Sequence, residues 1–172
     1  KNITSEQNTQ VIISTHSPSL VSNFNPIEII VVGKNNGKTV INQGVSLKDP
    51  HLFKRFINQD NAEMFFSDKI ILVEGDTEKI LFSELSKYTK LNPAEPESPN
   101  CDFDRINASI IPMDGANNII NYISIAQAFQ IPFLALLDKD FLSPEKQRIC
   151  EKICTLLGVK YQNTDNKELI KN

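Results

Sequence analysis

The amino-acid sequence predicts an α/β fold in which a parallel sheet is flanked by helices. From residue 69 onward, short apolar runs alternate with stretches of helical spacing in the order β-α-β-α-β-α. Such alternation builds a parallel sheet with right-handed crossovers. The first and third of these strands end in acidic residues, and sites in parallel sheets form at the carboxyl ends of strands. We therefore expect a functional site at that edge of the sheet.

The elements before residue 69 predict a separate, smaller unit. Residues 11–13 form an apolar β-branched run, which predicts a buried strand that leads into a polar loop. Ser17 as N-cap and Pro18 in the first turn predict a short helix to residue 24. Two further β-branched runs enclose a Gly/Asn turn and predict a hairpin over residues 27–41. Apolar spacings of three and four over residues 47–66 predict one or two linking helices.

The elements of the second unit follow from its apolar pattern. Unbroken apolar runs predict buried strands at residues 70–73, 108–112 and 132–137. Helical spacing follows each strand, over residues 80–88, 119–129 and 144–157. Ser143 as N-cap, Pro144 in the first turn and Gly158 as C-cap set the limits of the last helix. The proline-rich stretch 92–100 predicts a loop.

The composition indicates a globular chain outside the membrane. The 172 residues are 40% hydrophobic and 23% charged, and no apolar run approaches the roughly 18 residues of a membrane span. Three cysteines, two of them (Cys150 and Cys154) in one predicted helix, favour reduced thiols and a cytoplasmic location. The net charge of −3 argues against binding nucleic acid by bulk positive charge.

Four carboxylates are predicted to converge at the carboxyl edge of the sheet. Glu74 and Glu78 lie four residues apart at the start of a helix, and Asp138 and Asp140 alternate along an extended segment. Carboxylates so placed repel each other, and a divalent cation relieves that repulsion. Oxygen ligands favour Mg²⁺ or Mn²⁺. The predicted metal ligands are therefore Glu74, Glu78, Asp138 and Asp140.

A plainer interpretation of these acids remains open, because acids that follow strands are often helix caps and first-turn residues favoured by the helix dipole. For Glu78 and Asp140 taken singly, this interpretation is as good as the metal one. For both acidic clusters together it is the weaker of the two. Asp76 and Asp114 fit the turn and cap roles better than a ligand role.

Two motifs make the chain resemble a known family. Ile-Leu-Val-Glu-Gly-Asp-Thr-Glu (71–78), followed by Leu-Leu-Asp-Lys-Asp (136–140), resembles the Rossmann-like Toprim domain of topoisomerases, primases and some nucleases. Gln-Val-Ile-Ile-Ser-Thr-His-Ser-Pro (10–18) resembles the last core strand and switch-histidine loop of an ABC-type ATPase. The join of these elements through residues 62–75 resembles the OLD family (overcoming lysogenisation defect) of ATPase–Toprim nucleases, to which the nuclease subunit of Gabija anti-phage systems is related.

The resemblance implies a function and a division of the chain. Residues 1–45 would be the end of an ABC-type ATPase domain, 46–67 linker helices and 68–172 a Toprim domain. The implied activity is a DNA endonuclease that uses two Mg²⁺ or Mn²⁺ ions, with Glu74, Asp138 and Asp140 as its catalytic residues. In the full-length protein His16 would lie near the γ-phosphate of ATP. A homo-oligomer, a helicase-like or other defence partner and a role in anti-phage defence are also implied, without a membrane.

The sequence departs from the family pattern in three places. No Walker A, Walker B or ABC signature motif occurs, so we expect a fragment that does not bind ATP competently by itself. The stretch 114–118 stands where relatives often carry a Gly-Lys phrase. OLD nucleases use a further acid and a lysine on a later strand, and the sequence ends at residue 172 before such a strand, so we expect a Toprim domain truncated at its C-terminal end.

Two other interpretations remain. In the first, the Toprim domain is a catalytically inactive regulatory or oligomerisation module whose acids are caps. In the second, the chain is a topoisomerase or primase fragment, which is weaker because the segment 14–18 has no place there and no tyrosine lies in a nucleophile context. The pattern leaves open whether cutting is nicking or double-stranded, which DNA is cut and what ATP does.

Overall fold

The structure, a computed structural model, describes residues 10–160 except 36, 45, 46, 48, 49, 91, 93 and 96. Its strands are β1 (Ile30–Asn35), β2 (Lys38–Gln43), β3 (Lys69–Val73), β4 (Ala108–Pro112) and β5 (Phe133–Ala135). Its α-helices are α1 (Pro18–Val21), α2 (Pro50–Phe56), α3 (Asp76–Tyr88), α4 (Ile119–Ala128) and α5 (Gln147–Leu157). Short 3₁₀ segments include Ala62–Phe66, Ala116–Asn118, Lys139–Leu142 and Pro144–Lys146.

Strand β3 is the central strand of a three-stranded parallel sheet. The strand order is β4-β3-β5, and Leu72 of β3 is level with Ile111 on one side and Ala135 on the other. Both pairings are parallel. The predicted α/β fold with a parallel sheet and flanking helices is therefore confirmed, and the first predicted strand of the unit lies between the other two.

Alternation of side chains along β3 explains how both faces of the sheet are covered. Ile70 and Leu72 face the main core, which continues into α4 and the partly buried apolar side of α5. Ile71 and Val73 face the opposite side, where they form a smaller cluster with Ile110. Because both faces bury apolar side chains, the strand reads as one unbroken apolar run. Phe82 of α3 packs on the smaller cluster.

The predicted linker packs into the same core as the sheet. Phe53 of α2 and Phe65 of the 3₁₀ segment lie 5.7 Å apart between ring centroids, and Phe129 packs edge-on against Phe65 at 4.9 Å. Val21 and Ile29 from the N-terminal part belong to this core as well. One hydrophobic core thus contains side chains from all three predicted segments of the chain. The predicted domain limits at residues 45 and 67 stay predictions.

The N-terminal elements agree with the prediction in part. The hairpin is confirmed, with β1 antiparallel to β2, and Ser17 caps α1 by accepting the Leu20 amide at 3.3 Å. The buried strand predicted at residues 11–13 is wrong for the described structure. Those residues form no strand, and Ile12 is 87% exposed. A strand needs a hydrogen-bonded neighbour, and the described residues provide none beside this run.

The C-terminal elements are close to their predicted limits. Strand β5 ends at Ala135, two residues before the predicted end, although the Leu136 amide still donates to the Leu72 carbonyl at 2.9 Å. Gly158 closes α5 with a left-handed φ of 68°, as expected of a C-cap glycine.

Cys150 and Cys154 are free thiols, and burial raises the pKa of Cys150. Among the described helices, none has the length and apolar character needed to cross a membrane.

The Asn61 side chain joins the predicted linker to α4, so we expect its replacement to lower stability. Its buried side-chain amide donates to the Phe56 carbonyl at 2.6 Å and to the Tyr122 hydroxyl at 2.8 Å. Asn61→Ala leaves both acceptors without that donor, so we expect it to lower the free energy of unfolding by about 1–3 kcal/mol. Urea denaturation of both proteins measures the difference.

Two further variants serve as comparisons for the stability of Asn61→Ala. Tyr122→Phe removes the hydroxyl but keeps the Asn61–Phe56 bond, and should cost about 1 kcal/mol. Asn23→Ala, at an exposed asparagine, should change the free energy of unfolding by less than about 0.5 kcal/mol. Equal losses for Asn61→Ala and Asn23→Ala would contradict the role given to Asn61.

Candidate metal centre

Glu74 directly follows the central strand and is held there by the loop after β4. The Met113 amide donates to the Val73 carbonyl at 2.9 Å, and the Gly115 amide donates to the Glu74 carbonyl at 2.8 Å. The pairing of β3 with β4 therefore continues past the end of both strands. This leaves the half-buried Glu74 side chain at the carboxyl edge of the sheet.

The segment from Asp138 to Asp140 is a tight turn anchored on both sides. The Asp138 amide donates to the Glu74 Oε1 atom at 3.1 Å, which ties this turn to the end of the central strand. The Phe141 amide donates to the Asp138 carbonyl at 3.1 Å, and the Phe141 side chain is 3% exposed. Burial of Phe141 holds the turn against the core while Asp138 and Asp140 stay exposed.

Three of the four predicted ligands come together at this edge. Carboxylate oxygens of Glu74, Asp138 and Asp140 lie within 4.8 Å of one another. Three negative groups at this spacing repel one another, and a cation between them would relieve the repulsion. The donor set is oxygen throughout, which suits a hard divalent ion such as Mg²⁺ or Mn²⁺. The residues present therefore fit the metal that the sequence predicts.

Glu78 has a structural role that the sequence left open. Its Oε2 atom accepts the Gly75 amide at 3.0 Å, which is the reciprocal half of a capping box at the start of α3. It does not belong to the group formed by Glu74, Asp138 and Asp140. One of its two carboxylate oxygens is thus used at the helix terminus. Its role as a ligand stays a prediction.

His16 lies away from the carboxylate group, beside the segment that leads into β3. Its ring is exposed, and its centroid lies 6.1 Å from that of Phe66, three residues before the central strand. The Thr15 hydroxyl next to it accepts the Ser17 amide at 3.0 Å, so the loop has its own local order. The predicted role of His16 at the γ-phosphate of ATP stays a prediction.

The sequence did not predict the side-chain contacts in the loops next to the acids. Asp114 has a left-handed φ of 54°, and the Asn118 side chain donates to its carbonyl at 3.2 Å. The Lys146 ammonium donates to Asn117 Oδ1 at 2.7 Å across 29 residues of sequence. The Asp-Gly pair at 114–115 signals a turn. No local pattern signals the Lys146 contact, because it joins two loops that only the folded sheet brings together.

Comparison with known proteins agrees with this geometry. Residues 65–140 match the family described as "Overcoming lysogenization defect protein-like, TOPRIM domain". This chain contains an OLD-like Toprim domain. The matched range includes the central strand and all four predicted ligands, so the resemblance expected from residues 71–78 and 136–140 is confirmed.

Two curated relatives extend beyond this domain. The chain is 31% identical to the Old nuclease of Escherichia phage P2 over 147 residues, which is 81% of this chain and 24% of that protein. It is 26% identical to Endonuclease GajA of Bacillus cereus (strain HuB5-5) over 190 aligned positions, 94% of this chain and 26% of that protein. The chain thus spans about a quarter of the length of either relative.

From the acidic group we predict that divalent cations stabilise the folded protein. At a Mn²⁺ concentration about one hundred times the dissociation constant, we expect an increase in the unfolding temperature of about 5–10 °C. Asp140→Asn should reduce this increase strongly, because it removes one charged ligand. Differential scanning fluorimetry with and without MnCl₂ measures it.

The control is Glu84→Gln, which removes an exposed carboxylate on α3 that pairs with Lys87 at 2.6 Å. This variant should keep the full Mn²⁺ effect. If Asp140→Asn and wild type respond equally to Mn²⁺, the cation binds elsewhere and the assignment of the site is wrong.

Proposed function

We propose that the full-length protein is a metal-dependent DNA endonuclease that hydrolyses phosphodiester bonds at the edge formed by Glu74, Asp138 and Asp140. The observation that carries this proposal is the approach of their carboxylate oxygens to within 4.8 Å. The OLD-like Toprim match and the nuclease names of both relatives support the reaction class. The proposal extends to DNA as substrate and to Mg²⁺ or Mn²⁺ as cofactor.

Glu74, Asp138 and Asp140 would hold the first ion, and Glu78 would complete a second site. Bound ions would supply Lewis acidity toward the phosphate and lower the pKa of bound water. The chain positions the Glu74 carboxylate, because the Asp138 amide donates a hydrogen bond to the Oε1 atom of Glu74. The other Glu74 oxygen can then accept a proton from the attacking water, which is the role of a general base.

The charge distribution makes DNA binding dependent on the cation. Residues 68–104 carry nine acidic and four basic side chains. Without a cation, this acidic surface would repel a phosphate backbone. A bound divalent ion reverses the local sign of the charge and turns the edge into an attractive site for phosphate. The acidic net charge is therefore compatible with a DNA substrate.

The remaining implications of the family resemblance are part of the proposal. An ABC-type ATPase would be coupled to the nuclease, with His16 close to the γ-phosphate of ATP. The His16–Phe66 ring contact supports such coupling, because Phe66 precedes the central strand by only three residues. A homo-oligomer, a helicase-like or other defence partner, anti-phage defence and a cytoplasmic location complete the proposed role.

Cleavage of supercoiled plasmid by the full-length protein tests the proposal. With Mg²⁺ or Mn²⁺ we expect nicked or linear product, and EDTA should abolish it. Glu74→Gln and Asp138→Asn should lower the rate by at least about 100-fold, since each removes a group that acts on the reacting phosphate or water. Circular dichroism confirms that both variants are folded.

Two outcomes would contradict the site assignment. The first is cleavage by Glu74→Gln and Asp138→Asn at the wild-type rate. The second is that wild type binds DNA but shows no metal-dependent cleavage under any condition tested. That second outcome would favour the alternative in which the domain is an inactive regulatory or oligomerisation module.

Glu78→Gln separates the capping role of this residue from its proposed ligand role. Glutamine can accept the Gly75 amide as glutamate does, so the stability of α3 should change little. Loss of the charge should still weaken the second metal site and slow plasmid cleavage by about 10-fold or more. An unchanged cleavage rate together with unchanged stability would show that Glu78 is a helix cap alone.

A further inference from the structure

Lys146 lies where two loops at the carboxyl edge of the sheet meet. It ends the 3₁₀ segment that follows the acidic turn, six residues after Asp140. Its ammonium donates to Asn117 Oδ1 at 2.7 Å, in the loop that follows β4. That loop also holds the central strand, because the Gly115 amide donates to the Glu74 carbonyl at 2.8 Å. Lys146 therefore links the two segments that border Glu74.

Lys146 reaches this edge of the sheet with its charge uncompensated. Its partner Asn117 is a neutral amide, and no carboxylate among the described residues pairs with Lys146. The side chain is half-buried, so its position is restricted. Lys139 lies between the two aspartates, but it is exposed and no described contact holds its ammonium.

The distance to the acids is short on the scale of a nucleic acid. Asn117 is two residues from Gly115, which spans at most about 7 Å. Gly115 in turn is hydrogen-bonded to Glu74. The ammonium thus lies within a few phosphate spacings of the carboxylate group along one strand of DNA.

We propose that Lys146 binds a backbone phosphate of the DNA strand within a few nucleotides of the phosphate that is cleaved, with Asn117 holding the ammonium in place. This inference rests on the proposed function. Lys146 is then a substrate-binding residue, which supplies a fixed positive charge at a site otherwise rich in carboxylates. A lysine suits this task as a point charge toward phosphate. It holds the DNA without contacting the metal or the reacting water.

The test uses variants that separate charge from bridging. Lys146→Gln can still donate to Asn117 but lacks the charge, and Lys146→Arg keeps the charge. Asn117→Asp would pair with the ammonium and neutralise it while strengthening the bridge between the loops. A purely structural role predicts that Lys146→Gln and Asn117→Asp behave like wild type. A phosphate role predicts that both weaken DNA binding.

The measurement is the dissociation constant of a short duplex at several salt concentrations, in full-length protein with Ca²⁺ in place of Mg²⁺ or Mn²⁺ to prevent cleavage while the oxygen ligands stay occupied. Lys146→Gln should weaken binding about 10-fold and reduce the salt slope by about 0.9, the value for one lost phosphate contact. Lys146→Arg should retain most of the affinity. Lys34→Gln is the matched control, because Lys34 lies with Lys69 and Pro132 at the amino ends of β3 and β5, opposite the acids.

The double variant decides whether Asn117→Asp acts through Lys146. In the Lys146→Gln background, Asn117→Asp should add little further loss. An equal loss in both backgrounds would mean general repulsion of DNA and would overturn the inference.

Failure of the inference can be distinguished from failure of the proposed function. If wild type cleaves DNA while Lys146→Gln binds with unchanged affinity and salt slope, the inference alone is wrong. If the salt slope falls as expected but wild type never cleaves DNA, the phosphate contact stands and the nuclease assignment is wrong.

Discussion

The register of strand β3 between its two parallel neighbours determines where every residue of the site lies. Leu72 is level with both Ile111 and Ala135, so the carboxyl ends of three strands meet at one edge. A shift of β3 by one residue would exchange its two faces and bring the charge of Lys69 or Glu74 into a position that a buried apolar side chain now occupies. Because both faces are buried, such a shift is costly, and Glu74 is held at the edge by packing that takes place far from the site.

The acids themselves lie just outside the strands, where backbone contacts position them. Asp138 donates its amide to the Glu74 carboxylate, and the buried ring of Phe141 anchors the turn that carries both aspartates. A cluster of carboxylates is unfavourable without a cation, so these contacts maintain an arrangement that the charges alone oppose. A site preorganised in this way can hold a divalent ion without large rearrangement, and the bound ion would make the same edge attractive to phosphate.

The strands of the sheet and the three site acids that come together could be predicted because their signals are local. An apolar run followed by an acid marks Glu74, and alternating acids mark Asp138 and Asp140. The predicted strand at residues 11–13 has the same local signal, yet strand formation depends on neighbours that the described structure does not place beside it. The capping bond of Glu78 and the contact between Lys146 and Asn117 depend on side-chain direction and on loops far apart in sequence, which an apolar pattern does not encode.

The proposed function requires a divalent cation between Glu74, Asp138 and Asp140. A crystal of the full-length protein soaked in MnCl₂ and measured for anomalous scattering tests it most directly. We expect an anomalous peak within bonding distance of a carboxylate oxygen from each of the three residues, at about 2.0–2.2 Å. Anomalous peaks only elsewhere, or none at this edge although the three carboxylates remain together, would contradict it.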